Sequence, residues 1–280
     1  MVKLFVADSW KDYELLDSGE GQKLERWGQC ITIRPEPRAI WSKTNPQEWE
    51  AAGAVFQNET WRIKYELPKK WVVEWKNIKF NLKPTEFKHT GVFPEQAVNW
   101  EWIGDQVKGG VRILNLFAYT GGATMAAANA GAQVTHVDAS RPAMMWASEN
   151  AKLSKIPADR IRWIQDDVLK FVKREIKRGM KYDGIIMDPP RFGRGMKGEV
   201  WKLLEDLPEL VTACKQVLSP TPLLVLINAY TADVSSLVLR YLLEDMTRSM
   251  KGLIESGELG LPETASGKIL PAGIFARWSK

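Results

Sequence analysis

With 280 residues, 45% of them hydrophobic, the chain has enough apolar material for one substantial core and a smaller companion domain. No apolar run approaches the roughly 20 residues of a membrane span, and two histidines with two distant cysteines argue against a metal site, a zinc cluster or a disulfide framework. The net charge of +5 is modest, so its distribution says more than its size.

Residues 1–90 are predicted to form a β-rich domain. CITIRP (30–35), WRIKYEL (61–67), WVVEW (71–75) and IKFNLK (78–83) alternate or are rich in β-branched and aromatic residues. Asp17-Ser18-Gly19-Glu20-Gly21 reads as a turn cluster, and Arg34-Pro35-Glu36-Pro37 interrupts the ladder. Nine of the thirteen tryptophans lie before residue 103. Most are expected to fill the core of a small domain, and any exposed ones would offer stacking faces to bases. Arg62, Lys64, Lys69, Lys70, Lys76, Lys79, Lys83 and Lys88 outnumber Glu66, Glu74 and Glu86. They read either as a solvated sheet or as a surface for phosphates. The amino terminus lacks a charged head followed by a long apolar core, and Cys30 and Cys214 fit a reducing compartment, so a cytoplasmic location is expected.

Residues 91–280 alternate strand and helix. Strands are predicted at 112–117, 133–138, 161–165, 183–188 and 222–228. Helices are predicted at about 122–130, 141–154, 168–178, 200–217 and 233–250, with short closing strands at Gly267–Leu270 and Gly273–Trp278. This order implies right-handed crossovers and a parallel sheet, with ligands at the carboxyl ends of its strands.

Those ends carry polar residues or glycine. The first strand stops at Tyr119-Thr120-Gly121-Gly122, where the missing Cβ atoms let a ligand approach the backbone. Asp138 closes the second strand about 20 residues further on, where such folds hold a ribose. The glycines lack the spacing that cradles a pyrophosphate, so the expected ligand is an adenosine without phosphates, and S-adenosylmethionine fits. Ser140 is placed to cap the next helix. Asp166-Asp167 ends the third strand: one of the two can accept an adenine amine while the other caps a helix. Asp188-Pro189-Pro190-Arg191-Phe192 follows the apolar strand YDGIIM, and its prolines fix a rigid backbone where an acceptor must be positioned. Phe192 can stack on a flat base. Two further basic clusters are Lys170, Lys173, Arg174, Lys177, Arg178 and Lys181, read as a solvated helix face, and Arg191, Arg194 and Lys197.

Taken together these motifs resemble a class I S-adenosylmethionine-dependent methyltransferase. More narrowly, the chain is similar to the bacterial family of large-subunit ribosomal RNA cytosine-5 and guanine-N7 methyltransferases. The resemblance also runs through Tyr13–Gly19, Lys23–Arg26, Arg34–Pro37 to Trp41, and Lys88–Phe93. It implies an α/β fold: a Rossmann-like, seven-stranded, mostly parallel sheet over 91–280, plus the small amino-terminal β-rich domain. It implies S-adenosylmethionine as cofactor and RNA, ribosomal RNA in particular, as partner. By the resemblance, Phe117, Tyr119, Gly121, Gly122 and Thr124 would line the methionine half. Asp138 with Ser140 would hold the ribose, and Asp167 beside Asp166 the adenine. Phe93, on the segment His89–Gln96, would reach the cofactor pocket. Asp188, Pro189, Pro190 and Phe192 would face the acceptor.

Cytosine-5 methylation needs a thiolate to attack the ring, and the family's cytosine enzymes carry that cysteine just after strand five. Here that position reads Asn228-Ala229-Tyr230-Thr231. Three readings stay open: a methyltransferase for a base nitrogen in RNA, a methyltransferase for a small-molecule or protein acceptor, and a cofactor-binding RNA-associated factor without catalysis.

Overall fold

The computed structural model describes residues 3–68, 71–86, 88–194, 198–231 and 233–280, which leaves Lys69, Lys70 and Lys197 of the basic clusters outside the described residues. Two compact units divide the chain. One holds Phe5–Val98 and Leu259–Ala272, the other Asn99–Glu258 and Gly273–Lys280 with Leu4.

After a short strand β1 (Leu4–Val6), the first unit runs through β2 (Tyr13–Gly19), β3 (Gln22–Trp27), β4 (Cys30–Pro35), β5 (Ala54–Gln57), β6 (Thr60–Ile63), β7 (Val72–Trp75) and β8 (Ile78–Asn81). β2 to β6 form one sheet in chain order, and β7 pairs with β8. Left-handed residues make the tight turns: Glu20 and Gly21 (φ 54° and 75°) join β2 to β3, and Asn58 and Glu59 (φ 50° and 59°) join β5 to β6. Positive φ at both turn residues matches the twist of an antiparallel pair. Asp17, Ser18 and Gly19, expected in the first turn, instead end β2. The buried Asp17 carboxylate accepts N–H bonds from Ser18, Thr44 and Asn45 and from the Trp49 indole, and a Cβ on Gly19 would sit 2.5 Å from the Lys43 nitrogen. WRIKYEL is strand only to Ile63, because the N–H groups of Lys64 and Tyr65 both turn to the Gly53 carbonyl. Trp27, Trp49, Trp71 and Trp75 are buried, as expected for a small core. Beside them Arg34 grips Glu25 with two bonds of 2.6 and 2.8 Å, which holds the Glu25 carboxyl down at about 2 despite its burial.

The second unit contains α1 (Ala97–Gln106) from Asn99 onward, β9 (Arg112–Leu116), α2 (Gly122–Asn129), β10 (Gln133–Asp138), α3 (Arg141–Leu153), β11 (Ile161–Gln165), α4 (Val168–Lys177) and β12 (Gly184–Met187). A ribbon of β13 (Phe192–Arg194) and β14 (Val200–Lys202) follows, then α5 (Leu203–Val217), β15 (Leu224–Ala229) and α6 (Ser236–Thr247). The long strands β16 (Leu253–Pro262) and β17 (Ile269–Ser279) close the chain. Among the described residues the large sheet has eight strands in the order β1-β16-β17-β15-β12-β9-β10-β11. β11, β10, β9, β12 and β15 are parallel, and β17 runs antiparallel to β15. The order doubles back at β9, whose neighbours are β10 and β12. Such a switch point opens a crevice at the strands' carboxyl ends.

β12 and β15 are buried along their whole length, as parallel strands covered on both faces must be. Gly184 is needed at the centre, because a Cβ there would meet Ile113 Cδ1 at 2.6 Å. The core joins Leu114, Leu116, Ile185, Met187, Val225 and Ile227 to Phe171, Leu207, Val211, Leu239 and Leu243 from the helices. The strands β1 and β16 and the ribbon β13–β14 are not among the expected strands, and the two expected closing strands, Gly267–Leu270 and Gly273–Trp278, both fall on β17, which forms a long hairpin with β16. The tip of that hairpin belongs to the first unit for a visible reason. Thr264 and Ala265 donate to the carbonyls of Leu15 and Leu16, and the Ser18 hydroxyl donates to Glu263. No helix among the described residues is long and apolar enough to cross a membrane.

Candidate active site

The turn after β9 is strained. Phe117 and Tyr119 hold φ of 55° and 47°, and Gly121 holds 90°. Left-handed backbone at an aromatic residue costs on the order of 1 kcal/mol or more, and such outliers gather where a ligand is held. The strain turns the Tyr119 N–H onto Asp138 Oδ2 at 2.8 Å, while the Ser140 N–H reaches Asp138 Oδ1 at 2.8 Å. Asp138 is thus fixed at the carboxyl end of β10. Its desolvation raises the carboxyl above its ordinary range, against the pull of the two N–H bonds. Each oxygen keeps a lone pair for a further donor.

Gly121 and Gly122 differ in their reasons. At Gly121 the positive φ demands glycine, and a Cβ would also lie 3.3 Å from that of Ala147 on α3. At Gly122 a Cβ would stand 2.4 Å from Cζ2 of Trp100, so this glycine admits the indole of α1. Thr124 packs inside the unit. It is fully buried, accepts from Asn115 Nδ2 at 2.8 Å and shares a 2.9 Å bond with His136 Nδ1. Burial holds His136 down at about 3, so its ring is neutral. Residues 115 and 136 face each other across β9 and β10, and the three side chains form a buried polar brace beneath the glycine turn. Ser140 is also committed: its hydroxyl accepts from the Ala143 N–H and caps α3.

At the end of β11 the cap is Asp167, whose Oδ1 accepts the Lys170 N–H at 2.8 Å. Asp166 accepts the Asp167 N–H and forms an ion pair with Arg174. Assigning the cap to Asp167 fixes one of its oxygens and leaves the other half of the carboxylate for a ligand.

Asp188 continues β12, its N–H directed at the Leu116 carbonyl 3.3 Å away. The strand register, with Met187 beside Leu116, therefore sets Asp188 next to Phe117. Pro189 is buried and Pro190 exposed. The Pro190 carbonyl accepts the Trp201 indole N–H at 2.8 Å, and the Trp201 ring lies 4.8 Å from that of Phe117. Trp201 thereby ties the Asp188-Pro189-Pro190 segment to the strained turn, a link that the spacing of the residues does not reveal. Phe192 stands on β13, 53% exposed. Phe93 belongs to the first unit, where its ring packs 5.1 Å from His89.

At the end of β15, Asn228 accepts from Asn99 at 2.9 Å. No thiol lies there. Cys214 is fully buried in the helical core, and its apolar surroundings push the thiol far above its ordinary value. Among the described residues no group of three or more potential ligands could hold a metal. The 170–181 cations are largely compensated: Lys170 pairs with Glu199, Lys173 with Glu209 and Arg178 with Glu175.

Residues 59–255 match the family described as S-adenosylmethionine-dependent methyltransferase. A crystal structure of the S-adenosylmethionine-dependent methyltransferase from Agrobacterium tumefaciens is 39% identical, covers 99% of this chain and 93% of that one, and superposes with a TM-score of 0.94. The ribosomal RNA large subunit methyltransferase K/L of Shewanella frigidimarina is 35% identical over 159 residues, 56% of this chain and 22% of that protein. Its counterpart in Pseudoalteromonas translucida is 34% identical over 159 residues, again 22% of its length. The chain thus spans 22% of the length of these curated relatives.

Proposed function

The chain belongs to the S-adenosylmethionine-dependent methyltransferase family, and from that premise we propose that it methylates a nitrogen of a base in RNA, ribosomal RNA first, without a cysteine nucleophile. The observation that carries this reading is the acceptor motif. Asp188-Pro189-Pro190 leaves the central strand beside the cofactor turn, while the position of the attacking cysteine holds Asn228-Ala229-Tyr230-Thr231 and Cys214 is sealed in the core. A base nitrogen carries its own lone pair and needs only orientation and desolvation. The relatives named for ribosomal RNA support an RNA acceptor.

The residues present fit the cofactor. Asp138 offers a lone pair on each oxygen to the two ribose hydroxyls, and Asp167, or Asp166 beside it, takes the adenine amine. The turn Phe117–Gly121 opens backbone to the methionine half. The bound cofactor supplies an electrophilic methyl carbon on a sulfonium. Asp188 accepts an N–H of the acceptor base and holds its reacting nitrogen in line, and the two prolines keep that carboxylate from swinging away. Thr124, Ser140 and Gly122 serve the site through packing and capping, not through contact with the cofactor. The expected cytoplasmic location is compatible with an RNA acceptor.

The test offers the enzyme labelled S-adenosylmethionine with total RNA, ribosomal subunits and protein extract in parallel. Label should enter RNA, most efficiently in ribosomal material. Label confined to protein or to small molecules would establish the second reading.

A further inference from the structure

The ribbon β13–β14 has two unlike faces. Its register sets Phe192 opposite Lys202, Gly193 opposite Trp201 and Arg194 opposite Val200. Side chains alternate across such a ribbon, so Gly193 and Trp201 share one face and Phe192, Arg194, Val200 and Lys202 share the other. The Trp201 face is the packed one, bonded to Pro190 and against Phe117. All four residues of the opposite face are exposed, and Phe192 and Val200 each keep 53% of their surface in solvent. A ring and a branched apolar side chain flanked by two cations, on a ribbon anchored from behind, gain nothing from packing within this unit. They match a nucleotide, with a flat apolar face and a charged phosphate.

We propose that this outer face binds the single-stranded RNA adjoining the target base, with Phe192 stacked on a flanking base and Arg194 and Lys202 against neighbouring phosphates. The proposal rests on the RNA reading above and deepens it. It moves Phe192 from the target base to its neighbour, because the pleat that turns Trp201 toward Phe117 turns Phe192 the other way. The nearby acids do not cancel the face. Glu205 pairs with Lys202 at 3.0 Å in the open, an attraction that a phosphate displaces at little cost, and Asp233 pairs with Arg191, outside the ribbon. Glu199 is engaged by Lys170.

The experiment measures methyl transfer from labelled S-adenosylmethionine to the RNA that the wild type modifies best, as kcat and KM for RNA, with the dissociation constant of S-adenosylhomocysteine measured separately. Phe192→Ala should raise KM for RNA roughly tenfold, a stacking loss of the usual size, and Phe192→Tyr should restore it. Arg194→Ala with Lys202→Ala should lower the salt slope of RNA binding by about 1.4, two phosphates' worth on a single strand, with the S-adenosylhomocysteine constant unchanged. Unchanged KM and salt slope in folded variants, while the wild type methylates RNA, would overturn this proposal alone. A Phe192→Ala loss confined to kcat would return the ring to the reacting base and also overturn it. A wild type that labels no RNA would remove both this proposal and the function it rests on.

Discussion

Asp138 and Asp188 stand at the ends of the two strands that flank β9, and the tasks proposed for them are separable. Asp138 is held by two backbone N–H groups, and the ribose is its proposed ligand. Asp138→Ala should weaken binding of S-adenosylhomocysteine by about 1–3 kcal/mol, the cost of leaving its partners unpaired, as read by calorimetry; unchanged affinity would remove the ribose assignment. Asp188→Ala should lower the transfer rate far more than cofactor affinity, because its proposed contact is with the acceptor. Equal losses in both would put Asp188 in the cofactor pocket. His136 makes a prediction about stability. Its folded value, about 3, lies below the ordinary 6.5. As pH falls below 6.5 the unfolded chain takes up a proton that the folded chain refuses, so stability falls by up to about 1.4 kcal/mol per pH unit until pH nears 3. Denaturant melts at pH 7 and pH 5 should show His136→Gln with the shallower loss, and equal slopes would contradict a neutral buried ring.

At the level of elements, the local chemistry of the turns and caps decided what the residues could reveal. The glycine turn, Asp138 and the Asp188-Pro189-Pro190 exit were legible because each sits where an apolar strand ends, a boundary that needs no knowledge of packing. Thr124 was not: spacing cannot say which face of α2 is buried, and only the register of Asn115 against His136 shows that its hydroxyl is spoken for. A polar residue inside each of two apolar strands was the available clue, since buried polar groups need partners. The β2–β3 hairpin was misjudged because Asp17 looks like a turn former, whereas its carboxylate collects bonds from residues 44, 45 and 49, distant in the chain. Gly122 also makes room for Trp100, a packing demand that its place in the glycine turn does not reveal. Gly122→Ala should therefore destabilise the fold by about 1–3 kcal/mol through overpacking, and less in a Trp100→Leu background. A full cost in both backgrounds would show that α1 does not impose the glycine.

Across the whole molecule, charge and thiols separate the competing accounts. Lys170, Lys173 and Arg178 each stand beside an acid, so that part of the α4 surface carries little net positive charge. In the first unit Arg62 and Lys64 flank the exposed Ile63 and Tyr65 at the edge strand β6, a second place where charge and an aromatic ring stand in solvent. Neither cysteine is placed for chemistry: Cys30 is buried in the β-rich unit, and Cys214 lies in the apolar core, where alanine leaves no stranded hydroxyl. The most direct measurement of the central claim digests RNA methylated by the wild type and by Cys30→Ser with Cys214→Ala to nucleosides, and identifies the labelled one by mass. Both proteins should give the same nitrogen-methylated nucleoside at comparable yield. 5-Methylcytidine from the wild type, lost in the variant and accompanied by a trapped protein–RNA adduct, would contradict it.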